Sequence, residues 1–344
     1  MTNYEFPHPL YPPLHLRWRG GNPNEVREGV RRLFIILVSS FAIYSVAWAM
    51  GELPFETATV IPTVKYVREF GLPGSGERQF YYPNDLDCDQ SNLFVADTGN
   101  NRVQVLDQEG GFAYQFGGFG MEAGKFNSPV GLAVDFNYRI YVSEKDNDRI
   151  QLFDIRGNYI SDVAAGEYGL RKINDPAGLD VDPLGNLYIA DAGNDRILKL
   201  SDSGELLGEY GGFGYGAGFF DGPEDVAVDG ERYVYVADTK NHRVQKLDYD
   251  GRPILAFGKM GTAPGEFFLP KGITVDKRFI YVSDSGNHRI QIFTKLGQLV
   301  MTFGKKGSGK GEFNTPVGIC VGSQGQIYIA DSGNHRIQEL LVSY

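Results

Sequence analysis

The chain has 344 residues, of which 42% are apolar and 13% aromatic, enough to bury a core and, by length alone, about two domains. A formal charge of −10 argues against nucleic acid, whose binding rests on basic surface. The two cysteines, Cys88 and Cys320, support no zinc cluster, no haem-attachment motif and no lipid-modified cysteine.

Residues 1–30 are rich in Pro, Gly and Arg without periodicity and read as a disordered, cytoplasmic N-terminus. A translation start at Val30 would leave a signal peptide of ordinary length. Residues 31–50, within "RRLFIILVSSFAIYSVAWAMG", hold two arginines and then about eighteen uncharged, mostly apolar residues, the length of a membrane span. Arg17, Arg19, Arg27, Arg31 and Arg32 precede the run, and Glu52 and Glu56 follow it, which places everything after Gly51 outside the cytoplasm. Ala47-Trp48-Ala49 also fits a cleavage site. The expectation is therefore either a membrane anchor over 33–50 facing the extracytoplasmic side, or a secreted or periplasmic protein cleaved near Ala49. Residues 1–49 carry five basic and three acidic residues, so the remainder holds 28 Lys and Arg against 40 Asp and Glu, a charge of −12.

Beyond residue 51 no sustained helical periodicity appears, whereas short Val, Ile, Tyr and Phe runs bounded by Gly, Asn and Asp recur. "FGKKGSGKGEF", from Phe303, is nearly a phosphate-binding loop, but Gly311 stands where that motif needs a hydroxyl. The same eleven-residue span recurs as "FGKMGTAPGEF" from Phe257, "YGGFGYGAGFF" from Tyr210, "FGGFGMEAGKF" from Phe116 and "FGLPGSGERQF" from Phe70, with a worn copy from Val163. The other copies lack the lysine spacing, so the span is a connection between strands.

After each copy comes a proline (Pro83, Pro129, Pro176, Pro223, Pro270, Pro316), a first strand such as "GLAVD", and a second such as "NLYIAD". A polar turn and a third strand follow. The acidic residues closing the second strand, Asp97, Glu144, Asp191, Asp238, Asp284 and Asp331, are spaced by 47, 47, 47, 46 and 47 residues. A period of 40–50 residues with four strands per unit means a β-propeller. Six units predict an all-β, six-bladed β-propeller of four-stranded blades over residues 60–344, preceded by one apolar membrane-spanning or signal helix. The chain enters with a lone strand, "VKYVREFG", and stops after the third strand of its last unit, so the N-terminal strand is expected to complete the last blade.

The segments "DSGNHRIQ" at 284–291 and 331–338 resemble the NHL-repeat family. That resemblance implies a six-bladed propeller of the kind that generally serves as a binding platform. Related six-bladed rings include lyases and calcium-dependent lactonases. Two units depart from the pattern: "EKDNDR" at 144–149 and Lys240 in place of the turn glycine.

A residue present in every blade serves the blade, whereas a site on one axis breaks the symmetry. By that rule each acidic residue and the arginine five positions on are structural, the carboxylate accepting turn N–H groups and pairing with guanidinium. His242, His288 and His335 occupy one turn position in successive blades and do not converge on a metal. Symmetry breaks in the Pro-x-Gly pattern: Gly131, Gly178, Gly272 and Gly318 are answered by Asp85 in blade 1 and Asp225 in blade 4, on opposite sides of the ring. These carboxylates are expected at the channel mouth with Asn84, Glu224 and Lys271, either as strand caps or as a site for a polar ligand or a cation, with Asp85 and Asp225 as metal ligands. It breaks again in the loops, where Phe119, Met121, Tyr168, Phe213 and Tyr215 face Lys259, Lys305, Lys306 and Lys310. Those aromatics either bind a partner or fold back as anchors. Cys88 and Cys320 lie on the innermost strands of blades 1 and 6 with opposite pleat parity, and either face each other, where an oxidising compartment would allow a disulfide, or point apart.

The sequence thus predicts a non-catalytic scaffold that binds a protein, peptide or glycan on its loop-rich face, with no required cofactor. The alternative is a calcium-dependent or similar metal-dependent lyase or lactonase with Asp85, Glu224 and Asp225 at the channel mouth.

Overall fold

The computed structural model describes residues 62–163 and 172–343. They form six four-stranded antiparallel sheets arranged as the blades of a closed ring. Blade 1 comprises Asp85–Cys88, Asn92–Asp97, Arg102–Asp107 and Phe112–Gly117, from the axis outward. Blades 2 to 5 repeat that order from Pro129, Pro176, Pro223 and Pro270. Blade 6 takes Pro316–Val321, Gln326–Asp331 and Arg336–Ser343 from the C-terminal end, and Thr63–Phe70 from the other end of the chain as its outermost strand. That strand runs antiparallel to the third, from Thr63 opposite Ser343 to Phe70 opposite Ile337, as the spacing of the units predicts.

Strand position sets composition. Second strands such as Leu187–Asp191 and Val234–Asp238 are buried along their whole length because both faces meet a neighbouring blade, so they read as unbroken apolar runs. Outermost strands have one face in water and alternate in burial, as in Phe112–Gly117. Between blades the core is aromatic: Phe126, which closes an eleven-residue loop, packs 5.4 Å from Phe153 of the next blade, and Phe267 lies 5.4 Å from Phe293.

Glycines mark where innermost strands come too close for a side chain. A Cβ on Gly318 would lie 2.5 Å from the Asp85 Cα, and one on Gly272 would lie 2.0 Å from the Val317 carbonyl oxygen. Gly318 N–H donates to the Asn84 carbonyl at 2.8 Å, tying blade 6 to blade 1. At that junction Cys88 and Cys320 face each other, their Sγ atoms 2.7 Å apart.

The segments at 1–30 and 31–50 lie outside the described residues. Among the described residues no helix is long and apolar enough to cross a membrane.

Candidate functional site

The repeated acidic residue organises the face on which the eleven-residue loops lie. Asp97 is fully buried, and its carboxylate accepts hydrogen bonds from Arg102 Nε (2.7 Å), Asn100 Nδ2 (2.9 Å) and Gln104 Nε2 (3.2 Å). The backbone N–H that it accepts belongs to Tyr81, at 2.7 Å. In every blade this donor comes from the preceding loop and not, as expected from the sequence, from the hairpin turn. Arg102 then donates to the carbonyls of Ser75, Gly76 and Gln79, and Arg289 does the same to Thr262, Ala263 and Glu266. Each fully described loop is thereby pinned to a buried ion pair. Glu144 holds Asn147, Arg149 and Gln151 in the same way, so blade 2 keeps the pin although its turn at 145–148 lacks the 3-10 helix of the other five blades, while Lys240 sits in a 3-10 turn like those of its neighbours.

The histidines sit in the left-handed backbone region, φ 54 to 57°. Their Nδ1 atoms accept the N–H groups of Leu269, Thr315 and Tyr82, each at 3.0 Å, as the Asn101 Oδ1 accepts Ser128 N–H at 2.9 Å. They link successive blades and do not converge.

On the axis, Asp85 and Asp225 line a narrow cavity of about 50 Å³ with two further carboxylates that reading by the Pro-x-Gly pattern missed, Asp87 and Asp180. The signal was available: Asp87 shares the pleat parity of Asp85, and Asp180 lies two residues after Gly178, so both sit one tier deeper. All four reach from one innermost strand to the next. Asp85 accepts Leu132 N–H (2.8 Å), Asp87 accepts Val134 N–H (2.7 Å), Asp180 accepts Val228 N–H (2.6 Å) and Asp225 accepts Ile273 N–H (2.8 Å). Asp87, Asp180 and Asp225 also hold the N–H of their own next residue. Burial pushes Asp85 and Asp180 up to about 7 and Asp87 up to about 6. Burial, and then the charge of Asp85, push Asp225 well up. Asn84 donates to the Val130 carbonyl at 2.8 Å, and Glu224 pairs with Lys271 at 3.7 Å, so these three bind protein groups around the mouth.

The loop face separates two kinds of aromatic residue. The residues closing the loops, Phe80, Phe126, Phe220, Phe267 and Phe313, are fully buried anchors. At the fourth loop position a backbone bridge to the closing Phe presents Phe119, Phe213, Met260 and Lys306 outward. Phe119 and Phe213 are each 74% exposed and Met121 is 76% exposed. Tyr215 is exposed with its ring under the Arg243 guanidinium, 4.6 Å away. Met260 and the exposed Tyr81 and Tyr82 extend the apolar arc beyond the residues picked from sequence. Tyr168 lies outside the described residues. On the basic side, Lys259 and Lys305 pair with Glu266 (3.3 Å) and Glu312 (3.2 Å), while Lys306 and Lys310 are exposed and form no salt bridge among the described residues.

The opposite face carries a cleft of about 1040 Å³ across blades 4 to 6. Its buried charges are spent on each other: Asp229 accepts from Tyr235 Oη (2.9 Å) and Lys295 Nζ (3.3 Å), and the Lys246 ammonium lies 3.9 Å over the Tyr233 ring.

The model of the NHL repeat matches residues 174–200, 220–247, 269–293 and 313–340. The chain is 41% identical over 66 residues to the RING finger protein nhl-1 of Caenorhabditis elegans, a match covering 19% of this chain and 7% of that protein. Among solved structures, a streptogramin B lyase superposes with a TM-score of 0.56 at 15% identity, covering 82% of this chain and 98% of the lyase. A gluconolactonase from Xanthomonas campestris gives 0.58 at 18% identity, covering 78% and 88%. At such identities the superpositions establish the fold. With its buried Asp-Asn-Arg pins, the chain carries four matched NHL repeats and folds as a six-bladed β-propeller.

Proposed function

We propose that this propeller is a non-catalytic scaffold that binds a protein partner across its loop face. The observation that carries this reading is the arc of Phe119, Met121, Phe213, Tyr215 and Met260, held outward on loops that buried ion pairs make rigid. Exposed aromatic and Met side chains on a fixed backbone lose little conformational freedom when covered, which is how binding hot spots gain affinity. Lys306 and Lys310 beside the arc favour a partner segment carrying apolar side chains next to carboxylates. The channel supports this reading too, because its carboxylates are engaged by backbone N–H groups.

Selecting displayed peptides on the full-length chain tests the proposal. Enriched sequences should combine aromatic or aliphatic residues with acidic ones. Their affinity should fall tenfold or more in Phe119→Ser/Phe213→Ser, and several-fold in Lys306→Glu/Lys310→Glu with a reduced salt dependence. Binders indifferent to both variants would place the interaction elsewhere.

A second reading rests on four carboxylates meeting on one axis: a cation, calcium by its oxygen donors, held by Asp85 and Asp225 in a lyase-like or lactonase-like site. A calcium-dependent rise in melting midpoint that disappears in Asp85→Asn/Asp225→Asn would favour it. No rise at millimolar calcium would remove it.

A further inference from the structure

The two cysteines of the chain lie 232 residues apart and meet between the innermost strand of blade 6, the blade that closes the ring, and that of blade 1. Position by position, Cys88 stands where the other five blades carry Val134, Val181, Val228, Val275 and Val321. Cys320 stands where blades 2 and 4 carry Ala133 and Ala227. Both sulfurs therefore depart from the repeat, and they meet beside blade 6, the blade whose sheet is completed only by pairing Thr63–Phe70 with Arg336–Ser343. Cys320 is buried and Cys88 is half-buried, packed on Leu86, Tyr328 and the neighbouring core.

We propose that Cys88 and Cys320 form a disulfide that covalently seals the propeller. Their Sγ atoms are already 2.7 Å apart. Asp87 lies beside them, so the trio could also be read as a metal-ligand set. Zinc held by two thiolates at about 2.3 Å each would keep the sulfurs about 3.8 Å apart, wider than they stand. Metal binding would also need two thiolates in a buried site already lined by Asp85 and Asp87, whereas a disulfide is neutral. Burial and the neighbouring Cys88 hold the Cys320 thiol well above its ordinary value, in the same sense.

The oxidant is a small-molecule or protein disulfide. The more exposed Cys88, as thiolate, attacks one of its sulfurs and releases the first thiol. Cys320, giving up its proton, attacks the Cys88 sulfur of the mixed disulfide and releases the second. Two electrons pass from the cysteines to the oxidant, which leaves as two thiols.

The full-length chain, equilibrated with oxidised glutathione and then denatured, should titrate no thiols before reduction and two after it. Its peptides containing Cys88 and Cys320 should be joined. Reductant should lower the melting midpoint by roughly 5–10 °C, because the cross-link closes a long loop. Cys88→Val/Cys320→Ala, which uses residues the other blades carry, keeps the packing and should melt near the reduced wild type, insensitive to reductant. Two thiols titrating after oxidation, with or without stoichiometric zinc, would overturn the proposal. So would a wild-type midpoint that reductant leaves unmoved.

Discussion

His242, His288 and His335 stand in for asparagine and aspartate side chains, accepting one backbone N–H of the next loop through Nδ1. Burial, and then the charge of Lys306, hold His288 below its ordinary pKa. The unfolded chain therefore binds this proton more readily, so the contribution is complete above the unfolded value and is lost as pH falls through the folded one. Between pH 7.5 and 5 the wild type should lose roughly 0.5–1 kcal/mol more stability than His288→Asn, the value of one hydrogen bond. Equal pH slopes in urea unfolding would contradict this. Among the buried ion pairs, Asp238→Ala strands the Arg243 guanidinium and should cost about 3–5 kcal/mol. Asp238→Glu should cost much less, since blade 2 builds the same pin with Glu144. Chemical denaturation of both variants checks the pair. The residues of these pins were legible in the sequence because they repeat, but the source of the N–H groups was not. It lies 16 or 17 residues away, in a loop whose path only the folded blade defines.

At the scale of the innermost strands, glycine and aspartate are complementary. The bare Gly318 and Gly178 of one blade make room for Asp85 and Asp225 of the next. Gly318→Ala would drive a methyl group to 2.5 Å from the Asp85 Cα and should destabilise by roughly 2–4 kcal/mol. Gly230→Ala, with nothing within 4 Å, should change stability by less than about 0.5 kcal/mol. Comparable losses in the two would refute the crowding argument. The axial carboxylates set a second pH dependence, opposite in sign to that of His288. Folded-state values of about 6 for Asp87 and about 7 for Asp85 and Asp180 exceed those of the unfolded chain. The stability they contribute is thus complete below about pH 4 and is lost as pH rises through 6 to 7. Asp180→Asn should flatten the decline in melting midpoint between pH 5 and 8, and an unaltered profile would show that Asp180 is ionised throughout. Asp85 and Asp225 stood out in the sequence as broken symmetry. Asp87 and Asp180 did not, because the comparison stopped at the first tier and pleating carries the same inward face two residues deeper.

For the whole molecule, closure rests on the pairing of Thr63–Phe70 with Arg336–Ser343. Deleting residues 1–71 would leave the third strand of blade 6 as a bare edge and uncover Leu340 and Val342. That variant should aggregate or melt far below a chain lacking residues 1–61. Similar melting of the two would show that the closing strand is dispensable. Thr63 lies at the end of blade 6 away from the loops, so the closing strand runs from that end toward the loop face.

Blade number, strand order, closure and the rule separating pins from candidate sites were set by the sequence, since a 47-residue period repeats every local decision six times and averages out the ambiguity of any one copy. Side-chain direction was left to the tertiary structure. Only packing between blades buried Phe126 while exposing Phe119, seven residues earlier in the same loop, and engaged the axial carboxylates with backbone N–H groups. It also brought Cys88 and Cys320 together, because pleat parity alone allowed them to meet or to point apart, and the twist between neighbouring innermost strands decides which.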